Sequence, residues 1–207
     1  MILKYNFYGA DTADCVPVND KYSSIADPKM LYDMLSEIWC EYTCAPRMRL
    51  MWTPENKTLG QCSITAFLVQ DIFGGEVYGI LRRGGNYHCY NVVGGCVFDL
   101  TSEQFGDEKL CYENNPVQLR DVHFAKEEKK QRYEYLKAEL EKKLSAEYTV
   151  LKIFDDDYGC EGVPDDEEPM CSVLVTDGNG SEKWLKYPDS FLTENDIKIG
   201  SKIRITE

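Results

Sequence analysis

Residues 60–105 constrain the fold of this 207-residue chain more than any other stretch. They contain one helix pattern followed by three strand patterns, and a pair of glycines separates each pattern from the next. Apolar side chains at three- and four-residue spacing predict a helix over 61–73, which the glycines at 74–75 end. Strand patterns follow over 76–82, 87–93 and 96–100. The glycines at 94–95 predict a tight hairpin between the last two strands. A helix followed by a small antiparallel sheet indicates an α+β fold.

Two more helices are predicted outside this stretch. Asp27 is a good N-cap residue and Pro28 suits the first helical position, so we expect a helix from there to about residues 44–46. A long charged helix is expected over 126–146, where leucines and a tyrosine share one side. Both helices are predicted to belong to the same α+β unit as the hairpin.

The sequence pattern changes near Tyr148, where strand patterns over 148–154, 170–176, 182–187 and 201–206 replace the helices. A hairpin turn is predicted over 177–180 and an acidic loop over 155–168. We therefore predict two domains, an α+β domain over 1–147 and a small acidic β domain over 148–207. The acidic loop over 155–168 resembles a calcium-binding loop in composition only, because it lacks the alternating spacing and the central glycine. We interpret it as a solvated loop.

The composition argues against several classes of protein. A formal net charge of −13 argues against a general nucleic-acid binder, which needs a basic surface, and against docking on anionic membranes. No apolar run reaches the length of a membrane span, and the first residues lack the layout of a secretory signal. We therefore expect a cytoplasmic location with no nucleic-acid or membrane partner. Most of the nine cysteines are expected to be small buried apolar side chains.

One cysteine stands at the predicted start of a helix. Cys62 lies two residues after a glycine, at a position where the helix dipole favours thiolate over thiol. The chain has two histidines, and His88 lies on a predicted strand. If 94–95 form the turn, His88 and Asp99 are diagonal neighbours on one face of the sheet. These residue types are the components of a Cys–His–Asp nucleophilic centre.

Nucleophilic chemistry requires such a set of residues. The imidazole would hold the proton of the thiol, and the carboxylate would orient the ring and stabilise the imidazolium. The main-chain N–H of Cys62 would form half of an oxyanion hole, and a side-chain amide from Gln61 or Asn56 would form the other half. Trp52 and Tyr90 are candidates for contacts with the substrate.

Each of these residues also has an ordinary structural explanation. A buried, inert thiol is the default for any one of the cysteines, and a histidine on a strand is often a structural hydrogen-bond partner. Asp99 could end a strand and cap the next turn. Cys40 and Cys44 lie four residues apart on a predicted helix, which would permit metal binding, although two more ligands would be needed. We interpret these two as core thiols and predict neither a metal nor a cofactor.

Six sequence blocks between about residues 28 and 145 carry a family resemblance. They are Ile38 to Cys44, Trp52 to Pro54, Gly60 to Ala66, Phe73 to Gly75, Tyr87 to Asn91 and Phe98 to Phe105. In their order and spacing these blocks resemble the YunG-like family of uncharacterised bacterial proteins. The resemblance implies a papain-like core with Cys62, His88 and Asp99 in the triad positions, and it implies no particular reaction. The last 60 residues fall outside it.

The leading hypothesis is a cysteine-dependent hydrolase or acyl transferase that acts on an amide, thioester or isopeptide bond of an unknown small-molecule or peptide substrate. A first alternative is a catalytically silent papain-like binding protein, with a protein partner for the acidic domain over 148–207. A second alternative is a structural zinc protein that uses Cys40 and Cys44. The pKa of Cys62 separates the first two hypotheses. In a catalytically silent protein the thiol should have an ordinary pKa, and in an enzyme a lowered one.

Overall fold

The computed structural model describes residues 5–145, 147–156, 168–177 and 180–204. Within these residues, helices combine with two separate antiparallel sheets, which confirms the predicted α+β class. The chain packs into two compact units that divide between Lys142 and Lys143. The candidate site lies in the first unit.

The elements alternate along the chain. The helices are α1 (Pro28–Ile38), α2 (Cys62–Phe73), α3 (Arg120–Phe124), α4 (Glu127–Ser145) and α5 (Asp189–Glu194). The strands are β1 (Glu76–Leu81), β2 (Tyr87–Val93), β3 (Cys96–Phe98), β4 (Glu147–Asp155), β5 (Met170–Thr176), β6 (Glu182–Pro188) and β7 (Lys202–Arg204). The first sheet has the order β1-β2-β3 and the second has the order β6-β5-β4-β7. In the described part of the chain, no helix combines the length and the apolar character that crossing a membrane requires.

Helix α1 begins as predicted and ends earlier than predicted. The Asp27 carboxylate accepts a hydrogen bond from a main-chain N–H of the first turn at 2.8 Å. The predicted end near residues 44–46 is wrong, because the helix ends at Ile38. The next residue, Trp39, adopts an extended backbone and buries its indole, whose N–H donates to the hydroxyl of Thr65 at 3.1 Å. Burial of this large aromatic side chain therefore decides where α1 ends.

Helix α2 is the most buried helix of the first unit. Nine of its twelve residues are buried, which is more than the single apolar face predicted from the spacing. Strand β2 packs against it, and the side-chain amide of Asn91 donates to the main-chain oxygen of Ala66 at 2.9 Å. This buried hydrogen bond fixes the position of β2 along the helix.

The hairpin between β2 and β3 has the predicted register. The cross-strand pairs are Asn91 with Phe98, Val92 with Val97 and Val93 with Cys96. Strand β3 ends at Phe98 rather than at residue 100, because Asp99 pairs with another segment. The main-chain N–H of Asp99 donates to the carbonyl of Tyr8 at 2.9 Å, in an isolated antiparallel bridge. A segment whose sequence has no clear period thus contacts the candidate site.

Helices α2, α3 and α4 meet at one partly buried carboxylate. Asp71 on α2 accepts a hydrogen bond from Arg120 on α3 at 2.5 Å and pairs with Lys137 on α4 at 3.3 Å. It also accepts a hydrogen bond from the hydroxyl of Tyr133. This cluster holds the long charged helix, predicted over 126–146, against the core of the first unit.

The second unit is a four-stranded sheet with α5 packed against it. Its core consists of apolar and aromatic side chains from the strands and α5, namely Val150, Cys171, Val173, Val175, Leu185, Tyr187, Leu192 and Ile203. The strands agree with the predicted ones to within a few residues, whereas α5 was not predicted. Residues 157–167 of the predicted acidic loop and residues 178–179 of the predicted turn lie outside the described residues. The domain boundary at residue 147 stays a prediction.

Replacing Gly60 by alanine should destabilise the first unit. Gly60 has a φ of +70°, and a Cβ atom there would lie 2.7 Å from the Sγ of Cys44 and 2.9 Å from the main-chain nitrogen of Ala45. The left-handed backbone conformation costs alanine about 1 kcal/mol, and the steric overlap adds about 1–3 kcal/mol. Urea unfolding of Gly60→Ala measures the total loss in free energy of unfolding.

Gly94→Ala is the matched control for this experiment. Gly94 also has a positive φ, of +57°, but no atom lies within 4 Å of the position that its Cβ would take. It should therefore show only the backbone part of the loss. Equal losses in the two variants would show that the contact with Cys44 and Ala45 contributes nothing.

Candidate active site

Cys62 is the first residue of α2 and lines a cavity of about 720 Å³. Its side chain is partly exposed. The N-cap residue of α2, Gln61, makes no side-chain hydrogen bond to the helix, and the first turn carries no acidic residue. The positive end of the helix dipole is therefore available to a negative charge that develops at Cys62.

His88 and Asp99 form a buried ion pair beside this cavity. The Nε2 of His88 lies 2.5 Å from the Oδ2 of Asp99, and the two side chains are 2% and 1% exposed. The hairpin register brings the two residues together, as the sequence predicted. The ring of Phe105 packs edge to face with the imidazole at a centroid distance of 4.6 Å and shields it from solvent.

Three further hydrogen bonds hold the carboxylate of Asp99. Its Oδ1 accepts from the main-chain N–H and from the hydroxyl of Thr101, each at 3.0 Å. Its Oδ2 also accepts from the hydroxyl of Tyr112 at 2.9 Å. The ring of Tyr112 in turn stacks on Tyr8, with the centroids 3.8 Å apart. The orientation of the carboxylate is therefore set by groups from both sides of the sheet edge.

The second ring nitrogen of His88 remains for Cys62. Nε2 contacts Asp99, and Nδ1 is buried and makes no hydrogen bond. Burial by itself would lower the pKa of His88, but the charge and hydrogen bond of Asp99, together with the Cys62 sulfur, raise it to about 10. The ring is therefore an imidazolium at neutral pH.

Cys62 differs from other cysteines of the chain in the direction of its pKa. Burial opposes its ionisation, but the neighbouring positive charge of His88 outweighs burial, with help from the main-chain N–H of Cys89. The pKa of Cys62 is therefore lowered below the ordinary thiol value. In contrast, burial raises the pKa of Cys15 to about 12 and that of Cys44 to about 11. The pairing of a thiolate with an imidazolium is the activated form of a nucleophilic cysteine.

Gln104 connects the segment after Asp99 to the loop before Cys62. Its side-chain nitrogen donates to the carbonyl of Thr101 at 2.7 Å, and its side-chain oxygen accepts from the N–H of Gly60 at 3.3 Å. Both ends of this amide are thus engaged by main-chain groups. The bridge fixes the distance between the two segments that carry the thiol and the carboxylate.

The other predicted site residues do not line the cavity. Gln61 is fully buried, and its side-chain nitrogen donates to a main-chain carbonyl of the loop after α1 at 3.2 Å. Asn56 ends a short 3-10 helix, and the indole N–H of Trp52 donates to a nearby carbonyl at 3.0 Å. Tyr90 is 2% exposed, and its ring packs edge to face with that of Tyr112. The oxyanion and substrate-binding roles of these residues stay predictions.

The prediction that Cys40 and Cys44 share a helix is wrong. Helix α1 ends at Ile38, so the two cysteines lie in a turn, where the N–H of Cys44 donates to the carbonyl of Cys40 at 3.1 Å. Within the described residues, the cluster that could hold a metal ion is Asp155, Cys171 and Asp189, in the second unit. The geometric reason for a zinc site at the end of α1 is therefore lost.

Sequence analysis missed most of the groups around the site. Thr101 was detectable, because a hydroxyl residue two positions after an aspartate is a common turn pattern. Tyr112 has no such local signal. His123 and Lys129 line the same cavity as Cys62, but in the sequence one looks isolated and the other looks like part of a solvated helix face.

Fold and site together define an α+β protein in which a helix-start cysteine faces a histidine–aspartate pair on a hairpin. The family profile described as YunG protein matches residues 27–145, and this chain belongs to that family. The chain is 32% identical over 95 residues to the Uncharacterized protein YunG of Bacillus subtilis (strain 168). The aligned residues make up 46% of this chain and 70% of the relative. No solved structure matches the chain. The family resemblance seen in the sequence blocks is confirmed.

Replacing Asp99 by asparagine should raise the pKa of Cys62. The substitution removes the charge that keeps His88 protonated, and with it the imidazolium that stabilises the thiolate. This loss should outweigh the relief of repulsion between Asp99 and the thiolate. We expect the pKa to rise by about one unit or more. The rate of iodoacetamide labelling at Cys62 as a function of pH, read by peptide mass spectrometry, measures the shift.

Asp107→Asn is the control for the change in net charge. Asp107 is exposed, lies in the same region of the sequence and does not line the cavity. Its variant should keep the wild-type pH profile at Cys62. If Asp99→Asn also keeps that profile, the ion pair does not control the thiol.

Proposed function

We propose that this protein is a cysteine-dependent hydrolase or acyl transferase that acts on an amide, thioester or isopeptide bond. One observation carries the proposal: next to Cys62, His88 has its Nε2 bound to Asp99 at 2.5 Å while its Nδ1 is buried without a hydrogen-bond partner. A buried polar atom without a partner is costly in a folded protein. A ring nitrogen that must exchange protons with a thiol and a substrate accounts for that cost.

In the first half-reaction the Cys62 thiolate attacks the carbonyl carbon of the acyl donor. A carbon–sulfur bond forms, and the π electrons of the carbonyl move onto its oxygen. When the tetrahedral intermediate collapses, the bond to the leaving group breaks, and the His88 imidazolium gives its Nδ1 proton to the leaving amine or thiolate. A thioester on Cys62 and a neutral imidazole remain, and Asp99 keeps the ring in place throughout.

In the second half-reaction the neutral imidazole accepts a proton from the attacking group. A water molecule or an acceptor amine or thiol loses this proton to the Nδ1 of His88 as it attacks the thioester carbonyl. Collapse of this intermediate breaks the carbon–sulfur bond and restores the thiolate and the imidazolium. Water yields hydrolysis and another nucleophile yields acyl transfer, so the same residues serve both reactions.

The N-terminus of α2 supports stabilisation of the oxyanion. The helix begins at Cys62 without a side-chain cap, so the main-chain N–H of Cys62 lies at the positive end of the helix dipole. Gln61 and Asn56 were predicted to supply the second donor, and that assignment stays a prediction.

We also propose that residues 27–145 form a papain-like core. In support, a helix that begins at the cysteine packs against the antiparallel strand β2, which carries His88, and the carboxylate follows directly after β3. A catalytically silent binding protein is the alternative. A binding protein does not need a thiol of lowered pKa in its cavity. Burial of the His88–Asp99 ion pair costs free energy, which a catalytic role explains better than a binding role. A protein partner for the acidic residues over 148–207 stays a prediction.

Acylation by a small activated ester tests the proposed function. The full-length protein mixed with p-nitrophenyl acetate should release a burst of p-nitrophenolate and carry an acetyl group on Cys62, which peptide mass spectrometry detects. Cys62→Ala should lose both signals. His88→Gln should slow acylation by about a hundredfold to ten-thousandfold, which is the contribution expected of a general acid or base.

Cys111→Ala is the matched control, because Cys111 is an exposed thiol outside the cavity. This variant should retain the burst. Acetylation of Cys62 no faster than that of Cys111 in the wild-type protein would identify a silent site instead of an active one.

A further inference from the structure

The cavity around Cys62 is basic, although the whole chain has a formal net charge of −13. In the described part of the chain, a single carboxylate, that of Glu128, lines this cavity. The lysine and arginine side chains in the lining are Arg47, Arg82, Arg83, Lys126, Lys129 and Arg132. Clustered cations in a cleft raise the local concentration of anionic molecules.

Two of these cations are already paired with carboxylates. Arg82 contacts both oxygens of Glu108, at 2.7 and 2.8 Å. Arg132 is 3% exposed and pairs with Glu128 one helical turn away. The charges of both guanidinium groups are therefore largely neutralised by carboxylates of the protein. The positive charge that could attract a ligand comes from the other cations.

Lys129 is oriented by a neutral partner. Its Nζ lies 3.0 Å from the Nδ1 of His123, and the Nε2 of His123 lies 3.1 Å from the side-chain oxygen of Gln118. An ammonium group only donates, so Nδ1 is the acceptor, and the proton on Nε2 is donated to Gln118. Burial and the charges of Lys129 and Lys126 lower the pKa of His123 to about 4. His123 thus orients the ammonium group of Lys129 without neutralising its positive charge.

Lys129 lacks a carboxylate partner in the described residues. Burial, together with the charges of Lys126 and Arg132, lowers the pKa of Lys129, and the sulfur of Cys62 opposes this shift. A half-buried cation in this position is stabilised by an anionic ligand that enters the cavity. Because Cys62 lines the same cavity, such a ligand would lie beside the nucleophile.

We propose that the acyl donor attacked by Cys62 carries a carboxylate and that Lys129 binds it. The exposed Arg83 and Lys126 line the same cavity and add to the positive potential. This inference rests on the proposed function and specifies its substrate class, which is anionic acyl compounds. Lys129 acts as a binding residue that recognises the carboxylate as a point charge, and it takes no part in the proton transfers of His88.

Two alkylating reagents that differ by one negative charge test this inference. Iodoacetate and iodoacetamide both form a sulfur–carbon bond with the thiolate and release iodide, but only iodoacetate has a carboxylate. Normalised to N-acetylcysteine, the ratio of the iodoacetate rate to the iodoacetamide rate at Cys62 should exceed one. Lys129→Gln should lower this ratio about tenfold, a factor that corresponds to about 1.4 kcal/mol, and Lys129→Arg should retain it. The ratio cancels changes in the thiolate fraction, because both reagents require the thiolate.

Lys130→Gln is the matched control. Lys130 is the next residue, is exposed, does not line the cavity and lies 3.8 Å from Glu134. This variant should keep the wild-type ratio. In the unmodified protein, added salt should lower the ratio, because salt screens the attraction between the charges.

The outcomes distinguish the two proposals. Equal ratios in the wild type and in Lys129→Gln, or a wild-type ratio that does not respond to salt, would overturn the carboxylate inference while the proposed function stands. Failure of neutral iodoacetamide to label Cys62 below the ordinary titration range of thiols would overturn the proposed function itself.

Discussion

The buried contact between His88 and Asp99 is the interaction on which the site depends. Removing two charges from water costs several kcal/mol per ion, which only close geometry and additional hydrogen bonds offset. The 2.5 Å contact and the hydrogen bonds from Thr101 and Tyr112 meet both conditions. The Asp99 carboxylate raises the pKa of His88, and the protonated imidazole in turn lowers the pKa of the neighbouring Cys62 thiol. The lowered pKa of Cys62 therefore depends in part on a carboxylate that it does not touch.

Distant parts of the first unit maintain this geometry. The main chain of Tyr8 receives the N–H of Asp99, and Gln104 ties the segment after Asp99 to Gly60, just before the cysteine. The central position of α2 gives the other half of the site a rigid base, because most of the helix is buried. Local unfolding of any of these contacts would separate the thiol from the ring. The geometry of the site therefore lasts only as long as these contacts are formed.

The electrostatics of the cavity differ from those of the whole chain. Most of the acidic excess lies in residues 148–207, where 14 acidic and 6 basic side chains supply −8 of the net charge of −13. Lysines and arginines, in contrast, line the space in front of Cys62. Screening by salt limits the reach of exposed charges to about 10 Å, so a ligand in the cavity experiences mainly the local cations. Net charge alone would suggest a protein that repels anions, whereas the cations that line the cavity favour anions there.

Much of the local structure was predictable because its signals are short-range. The cap at Asp27, the helix after Cys62 and the hairpin at 94–95 depend on neighbouring residues, and the hairpin register carries His88 and Asp99 with it. The end of α1 was not predictable, because burial of Trp39 against another helix decides it. Tyr112 was missed for the same reason, since its ring stacks on the distant Tyr8. Lys129 was missed because only the packing of α4 brings it to the cavity of Cys62.

The sequence by itself determined the α+β class, the hairpin register and the three residues of the candidate centre. Only the tertiary structure decided that His88 and Asp99 are buried together and that Nδ1 of His88 has no partner within the protein. It also decided that Lys129 and Arg132 of α4 line the cavity of Cys62. The physical reason is that periodicity and turn chemistry act between neighbouring residues, whereas burial, pKa and electrostatic potential depend on every group that folding brings near.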